Sequence, residues 1–233
     1  MKLFKKLFGS LLILLLLSSP VFPAGLTPNL LNEDFNDITS WTDGDTDTAV
    51  SEISPAGQLR LDTNLGAVGD AQSRRYKDIT SPPNQFTIET LIYADLIGAY
   101  ADNDYILLSY STTTWYFGAR FCSDGLFINK TAGGLTEVGT NIVLTAGAAA
   151  DQLWRFQVDK TAGEASATVE VFLNNVSQGT YDCDSEAAQT NGRVQSRLQG
   201  AATDNMVAHI KHLRIATGLG AINDTSNPIV NIF

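Results

Sequence analysis

Alternation of apolar and polar residues with a period of two dominates the legible part of the chain. Over residues 115–122, tryptophan, phenylalanine and alanine alternate with tyrosine, glycine, arginine and cysteine. Residues 154–159 and 168–173 also place aromatic or aliphatic side chains at every second position. One apolar face and one more polar face are typical of antiparallel strands that cover a shared core.

Further strands are predicted where aromatic and β-branched residues cluster between turn residues. These predictions cover residues 32–37, 58–63, 73–78, 86–94, 105–111, 126–130, 176–182 and 206–217. Asp124-Gly125 and Asn174-Asn175 separate pairs of strands, and both dipeptides tolerate the positive φ of tight hairpin turns. A short helix at 145–152 is weakened by its internal glycine. The pattern therefore predicts an all-β fold, a two-sheet antiparallel sandwich or jelly roll.

The start of the chain predicts export. Lys2, Lys5 and Lys6 precede a leucine-rich run at 11–17, and the small residue Ala24 closes the segment. This arrangement is typical of a secretory signal peptide, here residues 1–24, cleaved after Ala24. A retained anchor is the alternative, but the apolar run is far shorter than the roughly 20 residues that span a bilayer. We expect a secreted, extracellular protein without a membrane span, with one domain at 25–218 and a tail at 219–233.

Charge and cysteine content narrow the partners and the compartment. The formal net charge is −10, and an acidic surface repels phosphate backbones, so no nucleic-acid partner is expected. The two cysteines, Cys122 and Cys183, predict a disulfide in an exported protein. Two buried thiols are the alternative.

Several segments, taken in order, resemble one known group. Phe86-Thr87-Ile88-Glu89, followed by residues 92–95, resembles the early inner strand of laminin G-like domains. Residues 115–121 and 124–128 resemble the central hairpin of those domains, 154–159 and 169–176 the next pair of strands, and 206–215 the closing strand. Laminin G-like domains belong to the concanavalin A-like lectin and glucanase superfamily. The resemblance covers roughly residues 32–218 and implies a two-sheet jelly roll with one concave sheet.

That superfamily contains lectins, adhesion domains, carbohydrate-binding modules and glycoside hydrolases, so the fold alone does not choose the function. Its hydrolases carry a Glu-x-Asp-x-x-Glu motif on one strand, whereas the matching strand here offers only Glu89. A retaining glycosidase needs two carboxylates, so no catalytic residue is predicted. His209 and His212 are interpreted as lying on opposite sides of the closing strand.

The polar face of the strands is the candidate ligand-binding surface, since sugar sites combine aromatic planes with hydrogen-bonding groups. If the register follows the alternation, it would unite Glu89, Tyr93, Tyr116, Arg120, Arg155, Gln157 and Glu170. Arginine–glutamate pairs that merely solvate an exposed sheet are the alternative. Trp41 is interpreted either as an exposed loop platform or as a core plug.

Alternate carboxylates suggest one cation site. Asp43, Asp45 and Asp47 could hold calcium, and a solvated acidic loop is the alternative. Related calcium sites use acids on the first and last strands. Asp34 and Asp37 fit the first strand, but Lys211 on the last strand predicts a salt bridge to them instead. Sequons at Asn129, Asn175 and Asn223 are about as many as chance provides.

The sequence favours a secreted, non-catalytic recognition domain for a polysaccharide or a glycoprotein glycan. A structural subunit of an extracellular filament or matrix is the alternative, and a glycoside hydrolase is a third. The filament hypothesis rests on the apolar end of the tail, Ile229 to Phe233, which follows Pro228. This segment could fold back on its own sandwich or add as a strand to another copy of the chain.

Overall fold

The structure is a computed structural model of the 233-residue chain. It describes residues 25–64, 71–79, 83–98, 104–112, 114–130, 134–138, 151–184, 193–200 and 206–223. These residues form fifteen strands: β1 Leu31–Glu33, β2 Thr42–Asp43, β3 Val50–Ile53, β4 Leu59–Asp62, β5 Ala71–Asp78, β6 Gln85–Leu96, β7 Tyr105–Ser111, β8 Tyr116–Phe121, β9 Leu126–Asn129, β10 Leu135–Glu137, β11 Gln152–Asp159, β12 Thr168–Leu173, β13 Val176–Asp182, β14 Arg193–Gly200 and β15 Val207–Thr217. One short 3-10 helix, Glu164–Ser166, lies between β11 and β12.

The strands form two sheets. Sheet I has eight strands in the order β13-β12-β11-β6-β15-β4-β3, with β1 also paired to β15. Sheet II has seven strands in the order β10-β9-β8-β7-β14-β5-β2. Every pair of these strands is antiparallel. The inner faces of the sheets share one hydrophobic cluster, so the predicted antiparallel sandwich is confirmed.

Aromatic rings from β8 and β11 join the two sheets. The ring centroids of Phe117 and Phe156 lie 5.4 Å apart, and those of Phe121 and Trp154 lie 5.2 Å apart. All four side chains are buried, and their tilted and edge-to-face geometry is one that aromatic pairs prefer. Because these residues occupy alternate positions on their strands, the alternation in the sequence marks the core side of both sheets.

The sequence pattern misses four strands: β2, β3, β10 and β14. Of these, β14 is central, because it pairs with β5 on one side and with β7 on the other. Its only aliphatic residues are Val194 and Leu198, so it has no strong apolar face to detect. Main-chain hydrogen bonds to two neighbours hold such a strand whatever its side chains are. Most of the helix predicted at 145–152 lies outside the described residues, and Gln152 begins β11.

The two predicted hairpin turns differ in conformation. Asn174 and Asn175 adopt φ values of 50° and 66°, as expected for a two-residue turn between β12 and β13. Asp124 and Gly125 are not among the residues with positive φ, although a turn does form there. The Cys122 N–H donates to the Gly125 carbonyl at 2.9 Å and closes it.

Cys122 and Cys183 are free, buried thiols, so the predicted disulfide is wrong. Cys122 packs with Tyr105 and Leu107 outside the main core, whereas Cys183 belongs to the main core cluster. The carbonyl of Cys183 accepts a hydrogen bond from Trp115 Nε1 at 3.0 Å. Burial raises the pKa of both thiols, which keeps them protonated and poorly reactive.

Trp41 is a core plug and not a surface platform. Its side chain is buried, its ring centroid lies 5.7 Å from that of Phe35, and its Nε1 donates to Glu33 Oε2 at 2.9 Å. This hydrogen bond satisfies the polar tip of a buried ring.

The two ends of the described chain lie side by side. The Leu26 N–H donates to the Ala221 carbonyl at 2.7 Å, and the Asn223 N–H donates to the Leu26 carbonyl at the same distance. These bonds form a parallel bridge between Leu26 and Ile222. The first residues of the predicted tail are therefore bound to the sandwich. The predicted signal peptide and the apolar segment 229–233 lie outside the described residues, and both stay predictions.

Phe117→Ala should lower the free energy of unfolding by about 3–5 kcal/mol, because it leaves a cavity where the two sheets meet. Urea unfolding of the purified protein measures this. Val176→Ala is the control, since Val176 is 63% exposed and should change stability by less than about 0.5 kcal/mol. Equal effects of the two substitutions would contradict the central role of the β8–β11 contact.

Candidate functional site

The structure divides the predicted polar face between the two sheets. Five of its seven residues lie on sheet I and alternate with core residues there: Glu89, Tyr93, Arg155, Gln157 and Glu170. Tyr116 and Arg120 lie on β8 of sheet II. Because the sheets pack through their inner faces, their outer faces point in opposite directions. The single surface predicted from the sequence is therefore wrong.

The outer face of sheet I is built around a buried carboxylate. Glu89 is 5% exposed, and its Oε1 atom lies 3.7 Å from His212 Nε2 and 4.0 Å from Arg214 Nη1. Arg214 also donates to Asp34 at 3.0 Å, an ion pair that links β15 to the loop after β1. Buried charges are tolerated when they are paired, and these groups pair with each other.

Neighbouring polar side chains on this face also contact other protein groups. Arg155 donates to Asn175 Oδ1 at 2.7 Å, and its guanidinium lies 4.3 Å from the centroid of the Phe172 ring. Burial lowers the pKa of Arg155, while the charges of Glu89 and Glu170 act in the opposite direction. Glu170 itself accepts a hydrogen bond from Ser177 at 2.8 Å.

A β-bulge brings both histidines to the outer face of sheet I. The register of β15 shifts between Ile210 and His212, so His209 pairs with Tyr93 and His212 pairs with Leu91. The interpretation that the histidines lie on opposite sides of the strand is therefore wrong. The His209 ring stacks on Tyr93 at 4.5 Å, and its Nε2 lies 3.2 Å from Asp95 Oδ2. Burial lowers the pKa of His209, and the charge of Asp95 opposes this shift.

Tyr93 completes this network, because its hydroxyl donates to Gln58 Oε1 at 3.0 Å and its side chain is buried. The acids and arginines described above on the outer face of sheet I thus contact other protein groups, although Arg155 Nε and His209 Nδ1 are buried without a hydrogen-bond partner among the described residues. This matches the alternative in which paired charges simply solvate a sheet, and it makes the face a stabilising element.

The outer face of sheet II carries a different group of side chains, which we call the Tyr116 cluster. It comprises Tyr105, Tyr116, Gly118, Arg120, Phe127 and Asn129. On β8 and β9 these residues alternate with the core residues Phe117, Ala119, Leu126 and Ile128. Tyr116, Arg120 and Phe127 are partly exposed, in contrast to the buried Tyr93 on the opposite side of the sandwich.

Gly118 sets the position of the Tyr116 ring. A Cβ atom at residue 118 would lie 2.7 Å from Tyr116 Cε1 and 2.8 Å from Asn129 Oδ1. The ring therefore extends over the glycine, beside the amide of Asn129. Any larger residue at 118 would push both side chains away.

Asn129 carries the polar group of this cluster that stands out. The residue is 7% exposed, and its Oδ1 atom is buried without a hydrogen-bond partner in the part of the chain that the structure describes. A buried polar atom of this kind is costly unless something binds it, so each instance needs an explanation. The sequence marked Asn129 only as a sequon, although its alternation with Ile128 already placed it on the polar face.

Arg120 and Tyr105 form the other end of the cluster. The guanidinium carbon of Arg120 lies 4.8 Å from the centroid of the Tyr105 ring, within the range of a cation–π contact. Tyr105, Leu107 and Cys122 form a small apolar patch, against which Tyr116 and Phe127 pack. The arrangement combines aromatic surface, a fixed guanidinium and an amide on one sheet face.

Two carboxylates of the predicted cation loop already bond to other protein groups. Asp43 forms an ion pair with Arg75 at 3.1 Å, and Asp45 accepts hydrogen bonds from the N–H and the hydroxyl of Ser51, each at 2.7 Å. Within the described residues, no group of three His, Cys, Asp or Glu side chains is arranged to hold a metal ion. Calcium binding that uses Asp47 with these two acids would have to displace those contacts, and it stays a prediction.

The predicted salt bridge from Lys211 to Asp34 or Asp37 is wrong. Lys211 donates to Asp151 at 2.6 Å, and Arg214 takes the place predicted for it beside Asp34. The bulge in β15 is the reason, because it changes which side chains face the loop after β1.

Comparison with solved structures shows that the sandwich has the jelly-roll fold of several proteins, among them a carbohydrate recognition domain, a glucanase and part of a sialidase. The carbohydrate recognition domain of Emp47p superposes with a TM-score of 0.57 at 12% identity, covering 86% of this chain and 100% of that one. An endo-1,3-β-glucanase from Streptomyces sioyaensis gives 0.54 at 11% identity, covering 87% and 100%. A sialidase gives 0.58 at 11% identity and covers 85% of this chain, which spans only 19% of the sialidase.

At identities this low, the likeness shows the fold alone. No protein-family model matches the sequence, and no curated protein matches it. Among the described residues, no helix is both long and apolar enough to cross a membrane.

Arg214→Ala should lower the free energy of unfolding by about 3 kcal/mol, because it leaves the buried Glu89 beside fewer cations. Glu52→Gln is the control, since its pair with Arg60 is exposed and should contribute less than about 1 kcal/mol. Urea unfolding at pH 7 measures both. If Arg214→Ala leaves the free energy of unfolding unchanged, the outer face of sheet I does not have a stabilising role.

Proposed function

We propose that the chain is a secreted, non-catalytic glycan-recognition domain of the laminin G-like type, with its ligand on the outer face of sheet II. The buried Asn129 Oδ1 atom beside the Tyr116 ring carries this proposal. A sugar hydroxyl donating to Oδ1 would supply the bond that no described residue provides. The adjacent ring would pack against the C–H groups of the same sugar.

The chemistry of the cluster supports a carbohydrate over an apolar ligand. Aromatic rings with a few precisely placed polar groups are typical of small-molecule sites, and the amide and guanidinium here match the hydroxyl-rich surface of a sugar. The outer face of sheet II groups three partly exposed side chains, Tyr116, Arg120 and Phe127, beside the buried Oδ1 atom of Asn129. The fold is consistent with this, since two of the matched structures are a carbohydrate recognition domain and a glucanase.

The absence of catalysis is part of the proposal. A retaining glycosidase places two carboxylates about 5 Å apart around the sugar bond. The acids of β6, Glu89 and Asp95, lie beside His212, Arg214 and His209 on the outer face of sheet I, on the other side from the Tyr116 cluster. The basic and leucine-rich start of the chain supports secretion.

Gly118→Ala should weaken glycan binding at least tenfold while leaving the melting temperature nearly unchanged. The added Cβ displaces Tyr116 and Asn129 but deletes no binding group, and the backbone of Gly118 does not need a positive φ. Tyr116→Ala and Arg120→Ala should weaken binding through direct loss of contacts. A glycan array identifies a ligand, and calorimetry on that ligand gives the affinities.

Gln157→Ala is the matched control, because Gln157 is a partly exposed polar residue on the outer face of sheet I. It should leave the affinity unchanged. If Gln157→Ala weakens binding and Gly118→Ala does not, the ligand lies on sheet I and the proposal fails. Release of reducing ends from the bound glycan would refute the non-catalytic part alone.

Self-association through the apolar tail is a separate hypothesis. The parallel bridge at Ile222 anchors the first part of the tail, ahead of the apolar segment 229–233. If the tail joins copies of the chain, deletion of residues 228–233 should convert polymers into monomers in light scattering. Monomers before and after the deletion would end the filament hypothesis.

A further inference from the structure

A second group of side chains lies on the same outer face, at the other side of sheet II. Two guanidinium groups lie close to the ring of Tyr76 of β5: that of Arg193 is 3.9 Å and that of Arg74 is 5.7 Å from the ring centroid. We call this group the Arg74–Tyr76–Arg193 stack. All three side chains are partly exposed.

The stack holds more positive than negative charge. Arg193 donates to Asp78 at 2.9 Å, and Asp78 is the acid that faces it. Arg74 forms no ion pair with any described residue, and its buried Nε atom has no described hydrogen-bond partner. The Nε–H of Arg74 is therefore a buried donor for which the described residues supply no acceptor, and such a donor is costly unless something binds it.

Arg74 is held in position by the edge of the sheet. A Cβ atom on Gly44 would collide with Arg74 Nε, so the arginine lies across the backbone of the glycine. Arg74 therefore already packs against the protein in the absence of a ligand. Preorganisation of this kind reduces the entropy lost on binding.

The arginines on the outer face of sheet I contact other protein groups. Arg60 pairs with Glu52 and Asp62, Arg214 pairs with Asp34 and Glu89, and Arg155 donates to Asn175. The chain as a whole carries a net charge of −10. Two arginines beside one tyrosine ring are therefore a local concentration of positive charge in an acidic protein.

We infer that the Arg74–Tyr76–Arg193 stack binds the anionic group of an acidic polysaccharide whose other sugars lie on the Tyr116 cluster. The inference rests on the proposed function. β5 lies three strands from β8, about 14 Å across the sheet, so one extended glycan chain can contact both groups. Guanidinium groups bind carboxylate and sulfate through two parallel hydrogen bonds, and Tyr76 supplies a ring for the sugar that carries the anion.

The test compares polygalacturonate with its fully methyl-esterified form, which has the same backbone without the charge. Dextran sulfate and dextran form the second pair, so the two pairs distinguish a carboxylate from a sulfate. The purified protein should bind at least one charged polymer about tenfold more tightly than its neutral partner, as expected for charge-assisted hydrogen bonds. Arg74→Gln with Arg193→Gln should remove that preference.

Arg60→Gln is the control, since it removes one positive charge from the outer face of sheet I. It should leave the preference intact. If Arg60→Gln lowers binding as much as Arg74→Gln alone, the effect is long-range electrostatics and the inference is wrong. Equal binding of charged and neutral polymers, or tighter binding of single-stranded DNA than of either charged polysaccharide, would also overturn it.

These experiments distinguish failure of the anionic subsite from failure of the proposed function. If Gly118→Ala abolishes binding of a neutral glycan while the arginine variants change nothing, the Tyr116 cluster binds glycans and only the anionic subsite fails. If no polysaccharide binds and Gly118→Ala changes nothing on a glycan array, both proposals fail.

Discussion

The packing of aromatic rings between β8 and β11 is the contact on which both the fold and the candidate site depend. Phe117 and Phe121 point inward from β8 and meet Phe156 and Trp154 of the opposite sheet. Because side chains alternate along a strand, burying Phe117 and Phe121 fixes Tyr116, Gly118 and Arg120 on the outside. A slip of one residue would exchange the two sets. The hydrophobic core therefore sets the orientation of the Tyr116 cluster directly.

The two outer faces have similar polar composition but differ in how their groups are satisfied. On sheet I, the bulge in β15 brings His209, His212 and Arg214 to the side that already holds Glu89 and Tyr93. Charges of opposite sign then lie next to each other within the face, and their pairing offsets the free-energy cost of burying them. On sheet II, small residues such as Gly118 lie between the large ones, and Asn129 Oδ1 has no described partner. Internal pairing stabilises a fold, whereas unsatisfied groups beside exposed rings can bind something else.

The sequence predicted most of the strands, because a buried face imposes alternation that can be read locally. It could not predict which sheet each strand would join, since pairing depends on contacts far apart in the chain. That is why Tyr116 and Glu89 were placed on one surface. The bulge at Lys211 and the central strand β14 produce no alternating pattern that can be recognised in the sequence. The disulfide prediction failed for the same reason. An oxidising compartment favours a bond between two cysteines, but the fold decides whether the two side chains lie close together.

Net charge and local charge act over different distances in this protein. Beyond about 8 Å at physiological salt, charges are largely screened, and within hydrogen-bond distance the nearest guanidinium dominates. An acidic chain can therefore recognise an anionic sugar through Arg74 and Arg193 while repelling polyanions in general. Duplex DNA carries one charge per about 1.7 Å, so it would meet the acidic remainder of the surface along its whole length. A polymer with one charge per sugar, lying flat on sheet II, would meet mainly the arginines. The acidity that disfavours nucleic acid is thus compatible with binding of an anionic glycan, and it would increase the preference for the glycan.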